Sequence, residues 1–459
     1  MLSPRWRDLA PSASAALAAA IRNAVLDGTI HVADRLPAER QLARQLSVSR
    51  GTVVTAFAVL RAEGWLVTRH GSGSTVQLPD SLRTRYAPLP VDRGGDGLLD
   101  LRLAVPAAPV DAYTSAAERA LARSAGLLLG DGAPGQGLPG LRDQIAARLT
   151  GEGQATSPDQ ILITSGARAA LSLLIAHLRP RAAVVESPTY HSLPGLVRRP
   201  GRRLVAVPVT AEGWDRDRLT AAFGQAGSGI ALLVPEFHNP TGAQMDSATR
   251  AHIAMLAAST GITVIADEIL RDLDLRDPPV PMPRIRGAVT VGSLSKTIWS
   301  GMRIAWIRGP ARLIRELQLH PLFATCAPPP LEQLIASELL PSLDALIGQR
   351  TGELRARRDL LAGELRDEAA WSFTPPHGGL WLWLRLARAS GDALAARAAA
   401  RGLAVLPGSA FSADRSPGSY LCVPFTAPPD VLSRAASILK SAHVAGPGRS
   451  RHEETLRNW

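Results

Sequence analysis

Lys296 lies in Ser293-Leu294-Ser295-Lys296-Thr297, seven residues before Arg303, and is one of only two lysines in the chain, the other being Lys440. A lysine amine held in a pocket forms a Schiff base with an aldehyde, and nearby hydroxyls and an arginine can hold a phosphate. The plainer reading of a single lysine is a solvated charge, but 49 of the 51 basic residues are arginine, so a lysine inside such a motif is informative. Asp267 follows the apolar run 262–266. A carboxylate there caps a helix in the ordinary case; its chemical use is to partner a protonated pyridinium nitrogen. Asn239-Pro240-Thr241-Gly242 is a turn that also supplies an amide for a phenolic oxygen. Tyr190, beside Pro188, either packs or stacks on a planar ring. Gly166, Ala167 and Arg168 stand between a strand-like run and a helical stretch, where backbone N–H groups meet a phosphate. Each feature is weak alone, and together in chain order they describe a pocket for an aldehyde cofactor.

These residues must be positioned by something, and the runs before them say what. Short apolar runs at 161–163, 182–185, 230–234, 262–266, 288–291 and 304–307 are separated by helical stretches. That pattern predicts an α/β domain over 100–443 with a mainly parallel sheet. In such sheets ligands bind beyond the carboxyl ends of the strands, where the polar residues named above fall. Residues 1–78 read differently. Leu17, Ile21 and Val25 form one helical face that stops near Gly28; a second helix starts near Pro37; Ser49 caps a third, with Val53, Phe57 and Leu60 inward. Two strands, 65–69 and 74–78, flank His70-Gly71-Ser72-Gly73. Three helices and a β-hairpin make a winged helix-turn-helix. Residues 79–99, with Pro79, Pro88, Pro90, Gly94, Gly95 and Gly97, read as a flexible linker, and 444–459 as a polar tail. At about 3.3 Å per residue the linker reaches about 70 Å.

Composition bounds the rest. With 459 residues, 46% apolar and 20% charged, the chain is neither a single small module nor disordered. The net charge of +11 points to an anionic partner without choosing it. Cys326 and Cys422 make neither a metal pattern nor a disulfide framework, so no metal is expected and a reducing compartment is. No secretory leader is evident and no apolar run reaches about 18 residues, so the expectation is a cytoplasmic, nucleoid-associated protein without a membrane partner. The basic charge is concentrated where it would meet DNA: residues 1–78 hold nine arginines against five acids. In a helix-turn-helix the second helix enters the major groove by its N-terminus. Arg50 would pair with a base there, Ser49 and Thr52 would reach phosphates or bases, and Arg40 would touch the backbone. His70 and Gly71 would sit at the wing tip beside the minor groove.

The stretch LPAERQLARQLSVSRGTVVTAFAVLRAEGWLVTRHGSGSTV, residues 36–76, is similar to the DNA-binding domain of GntR-type bacterial regulators. That resemblance implies double-stranded DNA contacts at Arg40, Ser49, Arg50, Thr52, His70 and Gly71. Farther on, TSGARAAL, ESPTY, HNPTG, ADE, SLSK, GMRIAWI and PHGGLWLWL resemble the fold type I aminotransferases, which use pyridoxal 5′-phosphate (PLP). By that resemblance Lys296 carries the internal aldimine, Asp267 meets the pyridine nitrogen, Asn239 the ring oxygen and Tyr190 stacks. Gly166, Ala167, Arg168, Ser293, Ser295 and Arg303 surround the phosphate. The fusion looks like the MocR subfamily of transcriptional regulators, which implies a head-to-tail homodimer and PLP, or its adduct with an amine or amino acid, as the signal. The other reading is a working aminotransferase with an appended DNA-binding domain. Two departures count against it. Leu270 stands where family members place a tyrosine after the aspartate, and Cys422 stands where an arginine clamps the substrate carboxylate, a role left open to Arg385 or another arginine. A thiol does not replace a bidentate guanidinium.

Overall fold

The computed structural model describes residues 13–26, 30, 34–69, 73–77, 79, 98–129, 135–198, 200–366, 368–387, 390–412 and 418–444. The first unit consists of α1 (Ala13–Leu26), α2 (Glu39–Gln45), α3 (Arg50–Ala62) and the hairpin β1 (Leu66–Arg69) and β2 (Gly73–Val76), paired antiparallel with Leu66 opposite Val76. Leu17, Ile21 and Val25 meet Leu42, Val53, Phe57 and Leu60 in one small core, as their spacing predicts. β2 starts one residue earlier and ends two residues earlier than the expected 74–78. Gly28, His70, Gly71, positions 80–97 of the expected linker and all of the expected tail but Val444 lie outside the described residues.

The second unit begins with β3 (Leu99–Asp100), which pairs in parallel with a strand near the other end of the chain, so Leu99 is a strand residue and not linker. The main sheet follows: β4 (Ile161–Thr164), β5 (Ala182–Ser187), β6 (Arg203–Thr210), β7 (Gly213–Trp214), β8 (Ile230–Leu233), β9 (Thr263–Asp267), β10 (Val289–Ser293) and β11 (Ala305–Arg308), in the order β4-β11-β10-β9-β8-β5-β6-β7. From β10 to β6 the neighbours are parallel; β11 and β7 run against theirs. Helices cover both faces, which is why most of these strands read as unbroken apolar runs. β6 does not: near the edge its residues alternate buried and exposed, so it gives no run to find.

The expected single α/β domain has a second lobe. β12 (Trp371–Ser372), β13 (Trp381–Leu386), β14 (Leu403–Ala404), β15 (Leu406–Pro407) and β16 (Tyr420–Pro424) follow, and four of them make an antiparallel sheet in the order β12-β13-β16-β15, while β14 is the partner of β3. The helix Leu343–Leu365 joins the lobes: Leu343 belongs to the core of the large lobe, Leu354, Leu361 and Leu365 to that of the second. No helix among the described residues is long and apolar enough to cross a membrane.

Candidate functional site

β9 and β10 are parallel with Val291 opposite Asp267, so the ends of both strands open on the same side of the sheet. Asp267 ends β9 and Lys296 follows β10 by three residues; Gly166 follows β4, Tyr190 follows β5, Asn239 follows β8, and Arg303 precedes β11, which runs the other way. Topology therefore delivers all of them to one edge. A cavity of about 180 Å³ lies there, lined by Ala167, Arg168, Tyr190, Asn239, Asp267, Ser293, Ser295, Lys296 and Arg303. Gly166 lies beneath Arg303 at its rim.

Burial sets the charge states. The Lys296 ammonium donates to the carbonyl of Ala104 at 2.8 Å, and desolvation, partly offset by Asp267, lowers it to about 8. Desolvation also pushes the Asp267 carboxyl up to about 7, against a hydrogen bond from the Ile269 N–H and with Glu186 and Glu268 adding to the rise. Both groups resist the charge they carry in water, the condition expected of a site awaiting a partner. The amide oxygen of Asn239 is buried and has no hydrogen-bond partner among the described residues. Its loop is held from below by Glu186, which accepts from the Val234 N–H at 3.0 Å and the Trp214 indole at 2.9 Å, and by His238, whose Nδ1 lies 2.9 Å from Thr241 Oγ1.

At the other end of the cavity, Gly166 caps the helix Ala167–Leu178 with φ +95°, and a Cβ there would come within 3.0 Å of the Arg303 guanidinium. Arg303 donates to the Ser165 carbonyl at 2.7 Å and thereby lies across the helix start. No side chain caps that helix; Ala169 N–H donates to the Gly166 carbonyl at 3.0 Å, whereas the N–H groups of Ala167 and Arg168 have no intrahelical acceptor. Ser293 Oγ donates to Ser295 Oγ at 2.8 Å. Two hydroxyls, two arginines and the helix start thus share one end, an arrangement suited to a phosphate group.

Several residues of this cavity were not named as site residues from the sequence, His191, Trp381, Phe411 and Arg102 among them. His191 lies beside Tyr190, ring centroids 4.7 Å apart, and burial together with Lys296 and Arg168 lowers it to about 4, so its ring is neutral. Trp381 and Phe411 come from the second lobe, and Arg102 from the segment after β3, gripped by Asp100 through Nε at 2.9 Å and Nη2 at 2.7 Å. His191 had a signal in its adjacency to Tyr190, and Trp381 and Phe411 in the stretches PHGGLWLWL and VLPGSAF; Arg102 had none. A second opening, about 590 Å³, lies where Asp272 to Met282 face helix Leu343–Leu365; its arginines Arg148, Arg271, Arg276 and Arg355 are each paired with carboxylates.

Residues 102–434 match the aminotransferase class I and II family. The chain belongs to that family. Residues 13–76 match the bacterial regulatory proteins of the gntR family, so this aminotransferase-family chain is a transcription regulator of the MocR type, a GntR helix-turn-helix ahead of an aminotransferase-like domain. It is 30% identical over 382 residues to the HTH-type pyridoxine biosynthesis transcriptional regulator PdxR of Corynebacterium glutamicum, covering 78% of this chain and 80% of that one. It is 27% identical to the HTH-type transcriptional regulator YdfD of Bacillus subtilis, covering 87% and 90%. The fold is similar to that of LysN, the α-aminoadipate aminotransferase of Thermus thermophilus, with TM-score 0.71, 23% identity, and coverage of 79% and 96%.

Against that family the two departures have a structural setting. Leu270 is buried and lines the cavity, presenting a hydrocarbon where the sequence comparison expects a hydroxyl. Cys422 lies opposite Leu406 and Trp383 in the second lobe's sheet, and directly opposed residues share a face. Leu406 lines the cavity, so position 422 is on the side that looks toward it, yet the thiol is 2% exposed and burial raises it well above its ordinary value. Arg385 is exposed and does not line the cavity. On the helix-turn-helix, Arg40, Ser49 and Arg50 are exposed and Thr52 is half-buried. Ser49 accepts from the Thr52 N–H at 3.0 Å and its Oγ lies 2.8 Å from that of Thr52, so the pair caps α3. Arg50 lies 3.7 Å from Glu39.

Proposed function

We propose that this protein is a PLP-responsive, DNA-binding transcriptional regulator whose cavity holds PLP on Lys296 and reads PLP, or PLP together with an amine. The observation that carries the reading is the meeting, at one sheet edge, of an amine lowered to about 8, a carboxyl raised to about 7 and a buried amide oxygen without a partner. These residues fit the cofactor. PLP supplies an aldehyde that a lysine amine can engage and a ring that withdraws electrons. In this reading Asp267 would meet the ring nitrogen, Asn239 the ring oxygen, and Tyr190, with neutral His191 beside it, a ring face. Ser293, Ser295, Arg303, Arg168 and the N–H groups after Gly166 would hold the phosphate. The Ala104 carbonyl holds the Lys296 amine within the cavity until a partner displaces it.

The effector reading follows from what faces the rest of the cavity. Trp381, Leu406, Phe411, Ile269 and Leu270 form an apolar wall, position 422 offers a buried neutral thiol, and Arg102 is neutralised by Asp100. An amine with an apolar substituent fits this lining better than an α-amino acid, whose carboxylate would lose water without gaining a free cation. The DNA contacts are Arg40, Ser49, Arg50 and Thr52, with Arg50 the base-reading group. The active form is a homodimer in the cytoplasm bound to paired half-sites. Leu121, Leu128, Leu129, Leu319 and Leu322 are exposed on the large lobe, and such apolar surface suits a second copy of the chain.

Titration of the purified protein with PLP, for wild type and Lys296→Ala, followed by operator binding with and without PLP, tests the reading. The expected result is a visible absorbance band that requires Lys296 and a change in operator affinity that accompanies it. Absence of both would overturn it.

A further inference from the structure

We infer that Arg350, on the helix Leu343–Leu365 that joins the lobes, is a positioning residue for Lys296: it ties the turn that carries Lys296 to the segment whose carbonyl receives the Lys296 amine. The functional weight of this inference rests on the reading above of Lys296 as the working group of the cavity; the tie itself does not.

Arg350 is buried and does not line the cavity, and as one of 49 arginines it carries no mark in the sequence. Its Nε donates to the Thr297 carbonyl at 3.2 Å, and its Nη2 to the Ile298 carbonyl at 3.2 Å and to the Ala107 carbonyl. Glu353, partly exposed and three residues along the same helix, lies 3.4 Å from its Nη1. The buried cation is thus met by three main-chain carbonyls from two segments far apart in the chain. Arginine suits this task, because its planar fork reaches several acceptors at once, whereas a lysine ammonium is a single point of charge. Buried carbonyls deprived of their donor carry a desolvation cost, so the arrangement is held firmly.

Both segments lead to Lys296. In the first, Thr297 and Ile298 directly follow it, and the Ile298 N–H donates to the Leu294 carbonyl at 2.8 Å, closing the turn around the lysine. In the second, Arg102, Leu103 and Ala104 line the cavity, the Ala104 carbonyl accepts from the Lys296 amine at 2.8 Å, and Ala107 follows three residues later. A closed circuit results: from the Lys296 amine to Ala104, along the chain to Ala107, through Arg350 to Thr297, and back to Lys296. One rigid side chain from outside the cavity therefore fixes how the amine meets its carbonyl. The charged and titratable side chains that line the cavity with Lys296 are Arg102, Arg168, Tyr190, His191, Asp267 and Arg303. Arg350 acts on the amine by keeping the two segments closed over it. Loosening the tie admits water and relieves the desolvation that lowers Lys296 to about 8.

The scarcity of lysine makes this measurable. The full chain without PLP is treated briefly with acetic anhydride at a series of pH values, and mass spectrometry reads the acetylation of Lys296, with Lys440 as the internal reference for the reagent. Wild type is expected to give a Lys296 midpoint of about 8. Arg350→Met is expected to raise it by about one unit or more while the labelling of Lys440 is unchanged, and Arg350→Lys, which keeps the charge without the fork, to raise it by part of that. A purely structural role would lower the melting temperature and leave the midpoint as in wild type; that result overturns the inference, as does a wild-type midpoint not lowered from the ordinary lysine value. If Arg350→Met does not fold, Arg350→Lys decides alone: a raised midpoint supports the tie and an unchanged one overturns it. No PLP enters the measurement, so if wild type forms no Lys296-dependent band the reading of the cavity fails, while the labelling still decides what Arg350 does.

Discussion

Lys296 and Asp267 share a cavity, and burial disfavours the charge of each, so their contributions to stability run in opposite directions with pH. For Asp267 the folded value, about 7, lies above the ordinary 3.8. The native state then keeps a proton that the unfolded chain releases, and stability falls as pH rises from about 4 to about 7. For Lys296 the folded value, about 8, lies below 10.5, so stability is recovered as pH rises through that interval. Asp267→Asn is expected to flatten the first slope. Thermal melting of the PLP-free protein across pH 4 to 7 checks it: a loss of Tm in the variant as large as in wild type would remove Asp267 as the cause. The motif residues were legible because each stands at the end of an apolar run. Arg102 was not, and Trp381 and Phe411 stood only inside stretches that resemble the family without a role assigned to them, since nothing local says which side chain of a distant segment reaches the cavity.

At the scale of elements, α3 and the helix Ala167–Leu178 begin in different ways, and the difference is functional. α3 is closed by Ser49 and Thr52, which occupy each other. Ser49→Ala is expected to cost about 1 kcal/mol of stability in the helix-turn-helix, seen as a lower melting temperature, whereas Ser49→Asp retains most of it. Arg50→Ala, by contrast, should weaken operator binding with no change in PLP binding; unchanged operator affinity would refute the role given to Arg50. The helix Ala167–Leu178 is left open beneath Arg303, and Gly166 there has φ +95°. Gly166→Ala adds backbone strain and pushes on Arg303. The expected effect is at least about tenfold weaker PLP binding, about 1.4 kcal/mol, read from the titration of the visible band. Helix existence and strand runs were legible from periodicity; the edge strand β6 and the short strands of the second lobe were not, because half of β6 faces water and the others are too short to show a period.

For the whole molecule the question is which amine is read and how two copies assemble. The apolar wall and the neutral thiol at Cys422 predict that 2-phenylethylamine perturbs the PLP-loaded spectrum at about tenfold lower concentration than phenylalanine, a difference of about 1.4 kcal/mol. Equal concentrations would mean that Arg102 leaves Asp100 and holds the carboxylate. Exposed Leu128 and Leu319 predict that Leu128→Asp with Leu319→Asp shifts the chain toward monomer in light scattering and weakens binding to a paired operator more than to a single half-site. An unchanged mass would assign the interface elsewhere.

Residue chemistry and local periodicity by themselves determined the two-unit plan, the helix-turn-helix, the strand-end placement of Lys296, Asp267 and Asn239, and the loss of the tyrosine and arginine at Leu270 and Cys422. These are properties of a few consecutive residues, so a linear reading reaches them. Only the tertiary structure decided that Arg102 is gripped by Asp100, that Arg385 stays outside the cavity, and that Trp381, Leu406 and Phe411 of the second lobe help to line it. Those facts depend on which segments, far apart in the chain, fold against one another, and a side chain that lines the cavity is spelled like one that packs within its own lobe.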